Sequence, residues 1–279
     1  LPIDAFPDVS PVLVQVITVT PGLAPEEVER LVTYPVEVAM SGIPGLSHTK
    51  SLSTFGLSQV SIYLHDDVDI YFARQLALER LQEAREQIPP GLGEPMLGPI
   101  TTGLGQVYQY VLRDRAGKRD LMELRAIQDW VVRYNLRTVP GVADVISYGG
   151  EVKQYQVQVD PRALRQYGIT LDQVREALGA NNRNAGSPVY VRNVASVTFG
   201  PEVRRGAATM NGGGEVVSGI VLKRIFENTS QVIAAVKARV AEINKTLPAG
   251  VRAEPYYDQS ELVARAVGTT PLGVLRNSG

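Results

Sequence analysis

The hydrophobic positions of this chain alternate between two periods, and the switches between them predict its elements. Residues 13–20 (LVQVITVT) are rich in β-branched side chains and read as a strand, broken by Pro21-Gly22. Pro25 then stands at a first helical position, followed by Glu26, Glu27 and Glu29, acids that suit a helix N-terminus. The helix continues through Val28, Leu31, Val32, Val36 and Ala39. Pro35 is predicted to kink it, because proline removes a donor and crowds the preceding turn. The string Ser41-Gly42-Ile43-Pro44-Gly45 ends it. Residues 46–53 and 57–64 (LSQVSIYL) read as a β-hairpin across Phe55-Gly56. Asp69 is predicted to cap a long helix, 70–87, with Phe72, Leu76, Leu81 and Ala84 on its apolar face and Pro89-Pro90-Gly91 as its stop. A closing strand within 106–113 completes a βαββαβ unit of ferredoxin-like order.

The second half repeats the theme. A helix is predicted at 121–139, and strands at 142–148 and 153–160 on either side of Gly149-Gly150. Thr170 or Asp172 opens a short helix to Leu178. A strand at 215–222 (EVVSGIVL), a helix at 230–247 capped by Asn228 or Thr229, and a closing strand at 251–257 follow. Helix 70–87 leads into Ile88-Pro89-Pro90-Gly91-Leu92 and Glu94-Pro95; helix 230–246 leads into Leu247-Pro248-Ala249-Gly250-Val251 and Glu254-Pro255. Recurrence of helix, Pro-x-Gly turn and strand predicts two copies of one α+β unit, with Val232, Val236 and Val240 in the place of Phe72, Leu76 and Leu81.

Composition narrows the chemistry. A length of 279 residues fits about two domains. With 28 Lys+Arg against 29 Asp+Glu there is no basic excess for a nucleic-acid surface. The absence of cysteine removes disulfides, thiolate nucleophiles and Cys zinc sites, and two histidines, His48 and His65, leave no imidazole cage. No apolar run approaches the roughly 18–20 residues of a membrane span. The start, Leu1-Pro2-Ile3-Asp4, lacks Met and the make-up of a signal peptide, so the chain is expected to be a piece of a longer or processed protein.

Several strings, in order, carry a resemblance. They are Leu1-Pro2-Ile3-Asp4-Ala5-Phe6-Pro7-Asp8, Val32-Thr33-Tyr34-Pro35-Val36-Glu37, Ser51-Leu52-Ser53-Thr54-Phe55-Gly56-Leu57-Ser58 and Asp69-Ile70-Tyr71-Phe72-Ala73-Arg74. They continue with Thr102-Gly103-Leu104-Gly105, Leu124-Arg125 with Gln128-Asp129-Trp130, Tyr155-Gln156-Val157 before Asp160-Pro161, and Gly200-Pro201-Glu202-Val203-Arg204-Arg205-Gly206. The set resembles the heavy-metal-efflux branch of the resistance–nodulation–division (RND) inner-membrane transporters, specifically the N-terminal periplasmic loop of the cobalt–zinc–cadmium type. The resemblance implies a first porter subdomain at 8–112, a second at 113–150 plus 204–264, and an inserted docking piece at 151–203. It implies a proton-driven homotrimeric pump that works with a periplasmic adaptor and an outer-membrane channel, exports metal cations, and needs no cofactor and no enzymatic activity of its own.

Two departures from the family pattern follow. The docking piece is expected to be truncated near 186–188, where Gly186 runs straight into Ser187-Pro188, and the tail 265–279 leaves the pattern where a membrane helix is expected. The copper/silver type carries Met after Gly-Pro-Glu; here Val203 stands there, which points to divalent Zn, Co, Cd or Ni instead.

Candidate sites are few. Lys50 aligns with a basic position facing the transport cleft and Gln106 lies in the linker near it, so both are channel-lining candidates. His65-Asp66-Asp67-Val68-Asp69 is the densest run of hard ligands, yet neighbouring residues at a cap point in different directions, so it reads as a helix N-cap and is assigned no metal. Met40, Met96, Met122 and Met210 offer no clustered thioether set. Thr101-Thr102-Gly103-Leu104-Gly105 lacks the lysine of a P-loop and reads as a linker, and neither Ser53 nor Ser187 sits in a nucleophile elbow.

Overall fold

Strand β1 (Leu13–Val19) buries Val14, Val16 and Thr18 and turns the residues between them away, so one face of its sheet belongs to a core. The computed structural model describes residues 11–102, 104–179, 190–204 and 206–261. After β1 come helix α1 (25–40), β2 (Leu46–Thr54), β3 (Leu57–Leu64), helix α2 (Ile70–Gln87) and β4 (Met96–Leu97). The strands form one antiparallel sheet in the order β2-β3-β1-β4. Val32, Val36 and Met40 from α1, and Ala77 and Leu81 from α2, share a core with this sheet.

The second unit contains β5 (Gln106–Asp114), helix α3 (121–137), β6 (Val142–Tyr148), β9 (Val217–Lys223), helix α7 (Thr229–Thr246) and β10 (Val251–Asp258). Its sheet order is β6-β9-β5-β10, which matches the first sheet position for position. Tyr110, Leu136, Val221 and Val236 belong to a second core. The predicted alternation of strands and helices is therefore present, with strand and helix ends within a few residues of expectation.

One strand changes partners. Residues 106–113, expected to close the first sheet, form β5, but β5 pairs with β9 and β10 in the second sheet. Its side chains explain the choice. Val107, Tyr108, Tyr110, Val111 and Leu112 are buried on both faces, which requires a place between two neighbouring strands. The first sheet is closed instead by β4, two residues long and hemmed by Pro95 and Pro99.

Helix α1 consists of Pro25–Val28, a π turn Glu29–Thr33 and Tyr34–Met40. The Tyr34 N–H donates to the Glu29 carbonyl, so the widened turn carries the chain past Pro35. Helix α3 has the same device, Leu121–Ile127, a π turn Gln128–Val132 and Arg133–Arg137, but no proline. The two turns share a buried polar side chain bonded to the strands beneath. Thr33 Oγ1 lies 2.8 Å from both Ser53 Oγ and Ser58 Oγ. Gln128 accepts from the Tyr110 hydroxyl at 3.0 Å and donates to Ser147 Oγ at 3.2 Å.

The apolar face of α2 differs from expectation at two residues. Leu81 is fully buried, but Phe72 is 55% exposed and Leu76 only partly buried. Ile70, Ala73, Ala77, Leu81 and Ala84 form the stripe, recurring every three or four residues, and Phe72 and Leu76 fall outside it. Val232, Val236 and Val240 of α7 are buried as expected.

Between β6 and β9 lies the inserted piece: β7 (Lys153–Val159), α4 (Pro161–Tyr167), α5 (Leu171–Gly179), α6 (Val191–Val194) and β8 (Ala195–Pro201). β7 and β8 form a two-stranded ribbon with Tyr155, Val157, Val197 and Phe199 on one face and Gln154, Gln156, Ser196 and Thr198 on the other. The expected truncation near 186–188 and the tail 265–279 lie outside the described residues. A loop from the second unit ties the two units together. Ile225 packs against the first core, while the Arg224 N–H donates to the Gly141 carbonyl at 2.8 Å. Among the described residues, no helix is long and apolar enough to cross a membrane.

Candidate functional site

The structure separates the two channel-lining candidates. Lys50 lies on the free edge strand β2, on the sheet face turned away from the first core, with Nζ 5.3 Å from the Tyr63 ring centre. His48, two residues earlier on the same face, stacks on Tyr63 at 4.4 Å with the rings 6° from parallel. Gln106 opens β5 in the other sheet and accepts from Gln109 Nε2 at 3.3 Å. The His48–Tyr63–Lys50 group was not expected, although the spacing of His48 and Lys50 on a strand is a signal that both face one way.

The acidic run is a cap. Asp69 Oδ1 accepts the Phe72 N–H at 2.8 Å and opens α2. No group of three or more His, Cys, Asp or Glu suited to a metal ion occurs among the described residues. Asp69→Ala is expected to destabilise the chain by about 0.5–2 kcal/mol, the range for a lost N-cap, while Asp66→Ala changes stability far less; urea titration of both variants checks this.

The remaining motifs resolve into structure. Residues 99–105 carry the chain from β4 in the first sheet to β5 in the second, and the Lys223 N–H donates to the Gly105 carbonyl at 2.7 Å, as a linker would arrange. Ser53 hydroxyl is bonded to Thr33, and Ser187 lies outside the described residues. Met40 is in the first core, whereas Met96 on β4, Met122 in the first turn of α3 and Met210 in the 206–216 loop sit on three other elements. Val203 does not pack in a strand: β8 ends at Pro201, and Val203 is 85% exposed.

Val203 instead borders a cleft of about 510 Å³ where three parts of the molecule meet. Val19 comes from the first unit, Arg125 and Ser147 from the second, and Val152 and Arg204 from the segments joining the inserted piece to it. The π turn of α3 organises the wall. Asp129 accepts from Ser147 Oγ at 2.6 Å and from Arg125 Nε at 2.7 Å, and Arg125 Nη1 donates to the Gly149 carbonyl at 2.7 Å. Burial pushes the Tyr110 hydroxyl well above its ordinary range, so it remains a donor to Gln128 behind this wall. Arg204 pairs with Glu215 and, at 3.8 Å, with Glu151; the Glu215 hydrogen bond raises the guanidinium above its usual value and keeps it charged. Among the described residues that line the cleft there is no nucleophile–base pair and no metal-ligand cluster.

A second electrostatic feature lies at the far end of β5. Asp114, its side chain 2% exposed, accepts from the backbone N–H groups of Ala116, Lys118 and Arg119 at 2.9–3.0 Å and pairs with Arg119 at 3.4 Å. Burial alone would raise its pKa, but the three amides and the guanidinium outweigh it and hold the carboxyl below the ordinary range. Its stabilisation is complete above the unfolded value near about pH 4 and is lost as pH falls through the depressed folded value. Asp114→Asn is therefore expected to lower Tm at neutral pH and to flatten its fall below about pH 4, as read by thermal melts across pH.

Comparison with known proteins places this architecture. The family model described as the AcrB/AcrD/AcrF family matches residues 1–187 and 183–272. The chain is 42% identical over 302 residues to cation efflux system protein CusA of Escherichia coli (strain K12), covering 95% of this chain and 29% of that protein. It is also 42% identical over 320 residues to cation efflux system protein CzcA of Alcaligenes sp. (strain CT14), covering 100% of this chain and 30% of that protein. It thus spans about three-tenths of the length of the curated relatives it matches. Among solved structures, a heavy metal efflux pump (crystal form I) superposes with a TM-score of 0.86 at 34% identity, over 96% of this chain and 30% of that one.

Proposed function

This chain belongs to the AcrB/AcrD/AcrF family, and from that premise we propose that it forms the periplasmic porter portion of a proton-driven heavy-metal cation efflux pump. The observation that carries the proposal is the match over the whole chain to cation efflux proteins, at 42% identity, together with the fold shared with a heavy metal efflux pump. The chain is a part of a transporter and not an enzyme.

Both units are read as ferredoxin-like porter subdomains; their shared sheet order supports this. The first is proposed to end within 98–105 and not at 112, because β5 pairs in the second sheet. The second comprises 106–150 and 204–264, and 151–203 is the docking piece. The family model matches in two segments that meet at 183–187, and the CzcA alignment runs over 320 positions for a 279-residue chain, so that relative carries about forty residues more. Both facts support a shortened docking piece.

In the assembled pump this part faces the periplasm from the inner membrane, within a homotrimer joined to an adaptor and an outer-membrane channel. Transport proceeds by alternating access, with clefts between subdomains opening and closing while proton uptake occurs on membrane carboxylates elsewhere in the pump. Divalent Zn, Co, Cd or Ni is the proposed cargo. The support is Val203, which stands where a thioether would serve a soft ion. The test is to recover the DNA on both sides of this segment and express the full reading frame in a metal-sensitive host. A rise in tolerance to zinc, cobalt, cadmium or nickel is expected; a rise confined to amphiphilic drugs, or none to any cation, overturns the proposal.

A further inference from the structure

Four strands stand at the edges of the two four-stranded sheets, β2 and β4 in the first and β6 and β10 in the second. An edge strand presents a row of unpaired backbone N–H and C=O groups, and three of these four edges are closed. β4 is two residues long, between Pro95 and Pro99. On β10, the Asn244 side chain of α7 accepts the Ala253 N–H at 2.8 Å and donates to the Ala253 carbonyl at 3.1 Å, and Pro255 follows. On β6, Asp144 Oδ1 accepts the Val145 N–H at 2.7 Å.

β2 carries no such device. It runs for nine residues without Pro or Gly. The phase of its pairing follows from β3. The Thr20 N–H donates to the Gly56 carbonyl and the Leu64 N–H to the Val12 carbonyl, so the even-numbered residues of β3 bond to β1 and the odd-numbered ones to β2. Opposite those odd residues stand His48, Lys50, Leu52 and Thr54. Thr49, Ser51 and Ser53 therefore turn their N–H and C=O groups to the open edge, where no strand of the described residues meets them. His48, Lys50 and Ser51 are exposed, and Leu52 is 56% exposed.

We propose that β2 is a docking edge to which an extended, acidic segment of a partner protein adds as a fifth strand of the first sheet. In such an addition main-chain hydrogen bonds supply affinity and side chains supply specificity. Charge selects the occupant. None of the four strands of the first sheet contains Asp or Glu. Lys50 projects from the middle of β2, its ammonium 5.3 Å from the Tyr63 ring centre, and His48 lies on the same face. A carboxylate on the added strand opposite Lys50 meets a cation for which no acid of its own sheet competes. Leu52, two places on, calls for an apolar residue in the same alternation. A second copy of the chain fits badly. Lys50 is the central residue of β2, so antiparallel pairing of two β2 strands over their full length sets Lys50 against Lys50. The contact is independent of which cation the pump carries.

The test uses the full chain, isotope-labelled for nuclear magnetic resonance, and blocked peptides as long as β2 that alternate Val and Thr. One carries Glu at its two central Thr places, one carries Lys there, and a third is the Glu peptide methylated at every backbone nitrogen. The Glu peptide is expected to shift the amide resonances of Thr49, Ser51 and Ser53 and, at saturation, to slow their hydrogen exchange by about tenfold or more. The Lys peptide is expected to bind about three- to tenfold more weakly, and Lys50→Glu to reverse that order. The methylated peptide, which has no donors to offer the edge, is expected not to bind. Unmoved amides at millimolar Glu peptide overturn the docking edge. So does equal binding of the methylated peptide, which would mean side-chain contact without strand pairing. Equal binding of the Lys peptide, or protection of β2 that grows with the concentration of the chain alone, overturns the acidic partner.

Discussion

Truncating Leu81 to alanine is expected to cost about 2–5 kcal/mol of folding stability, whereas Phe72→Ala, nine residues earlier on the same helix, costs about 0.5 kcal/mol or less. Leu81 is fully enclosed by the first core, so its removal loses apolar burial and leaves a cavity that the sheet cannot collapse to fill. Phe72 is more than half in solvent, so its ring has little burial to lose. The alanines of the stripe sharpen the contrast. Ala73, Ala77 and Ala84 let α2 lie close on the sheet, and Leu81 is the large side chain of the stripe past its first turn, where Ile70 stands. Equilibrium denaturation of both variants in urea decides the matter. Equal losses at the two positions would mean that the helix is rotated about its axis from the orientation described, and that the stripe was read wrongly.

That contrast shows where the sequence speaks and where it falls silent. Helix 70–87 and its Asp69 cap were legible because capping and period are local. Which of its apolar residues face inward was not, since Phe72 and Leu81 are equally hydrophobic and only the position of the sheet and of α1 decides between them. Strand 106–114 shows the same limit more strongly. Its β character was plain, but its partners were not, because strand pairing depends on contacts far along the chain. A signal did exist: Val107, Tyr108, Tyr110, Val111 and Leu112 leave no polar face, which belongs to the middle of a sheet and not its edge. The π turns had no usable signature, as Glu29–Thr33 and Gln128–Val132 share only the valine at their fourth place, Val32 and Val131. For the site, resemblance singled out Lys50 and Gln106 one at a time, and the fold puts them in different sheets. The wall of Arg125, Asp129 and Ser147 depends on a helix and strand brought together by folding, and so stayed hidden.

Two glycines test whether the units are separate in energy as well as in topology. Ile43-Pro44-Gly45-Leu46 and Val139-Pro140-Gly141-Val142 end the first helix of each unit and lead into the second strand. Gly45 has φ +77° and Gly141 φ +82°. A Cβ at either would meet a valine methyl at 2.5 Å, Val68 Cγ2 in the first unit and Val232 Cγ2 in the second. Each Gly→Ala change therefore combines a left-handed backbone with overpacking, about 1–2 and about 1–3 kcal/mol, for an expected loss of roughly 2–5 kcal/mol. The two cores share no buried residue, so the losses should stay local. Amide hydrogen exchange reads this directly. Gly45→Ala is expected to weaken protection in β1 and β3 while β5 and β9 keep theirs, and Gly141→Ala to do the reverse. The Ile225 contact is the route by which the effect could cross, since it brings the second unit's loop into the first core. Should either variant weaken both sheets alike, the chain would unfold as one cooperative body, and the two sheets would be copies in shape but not in stability.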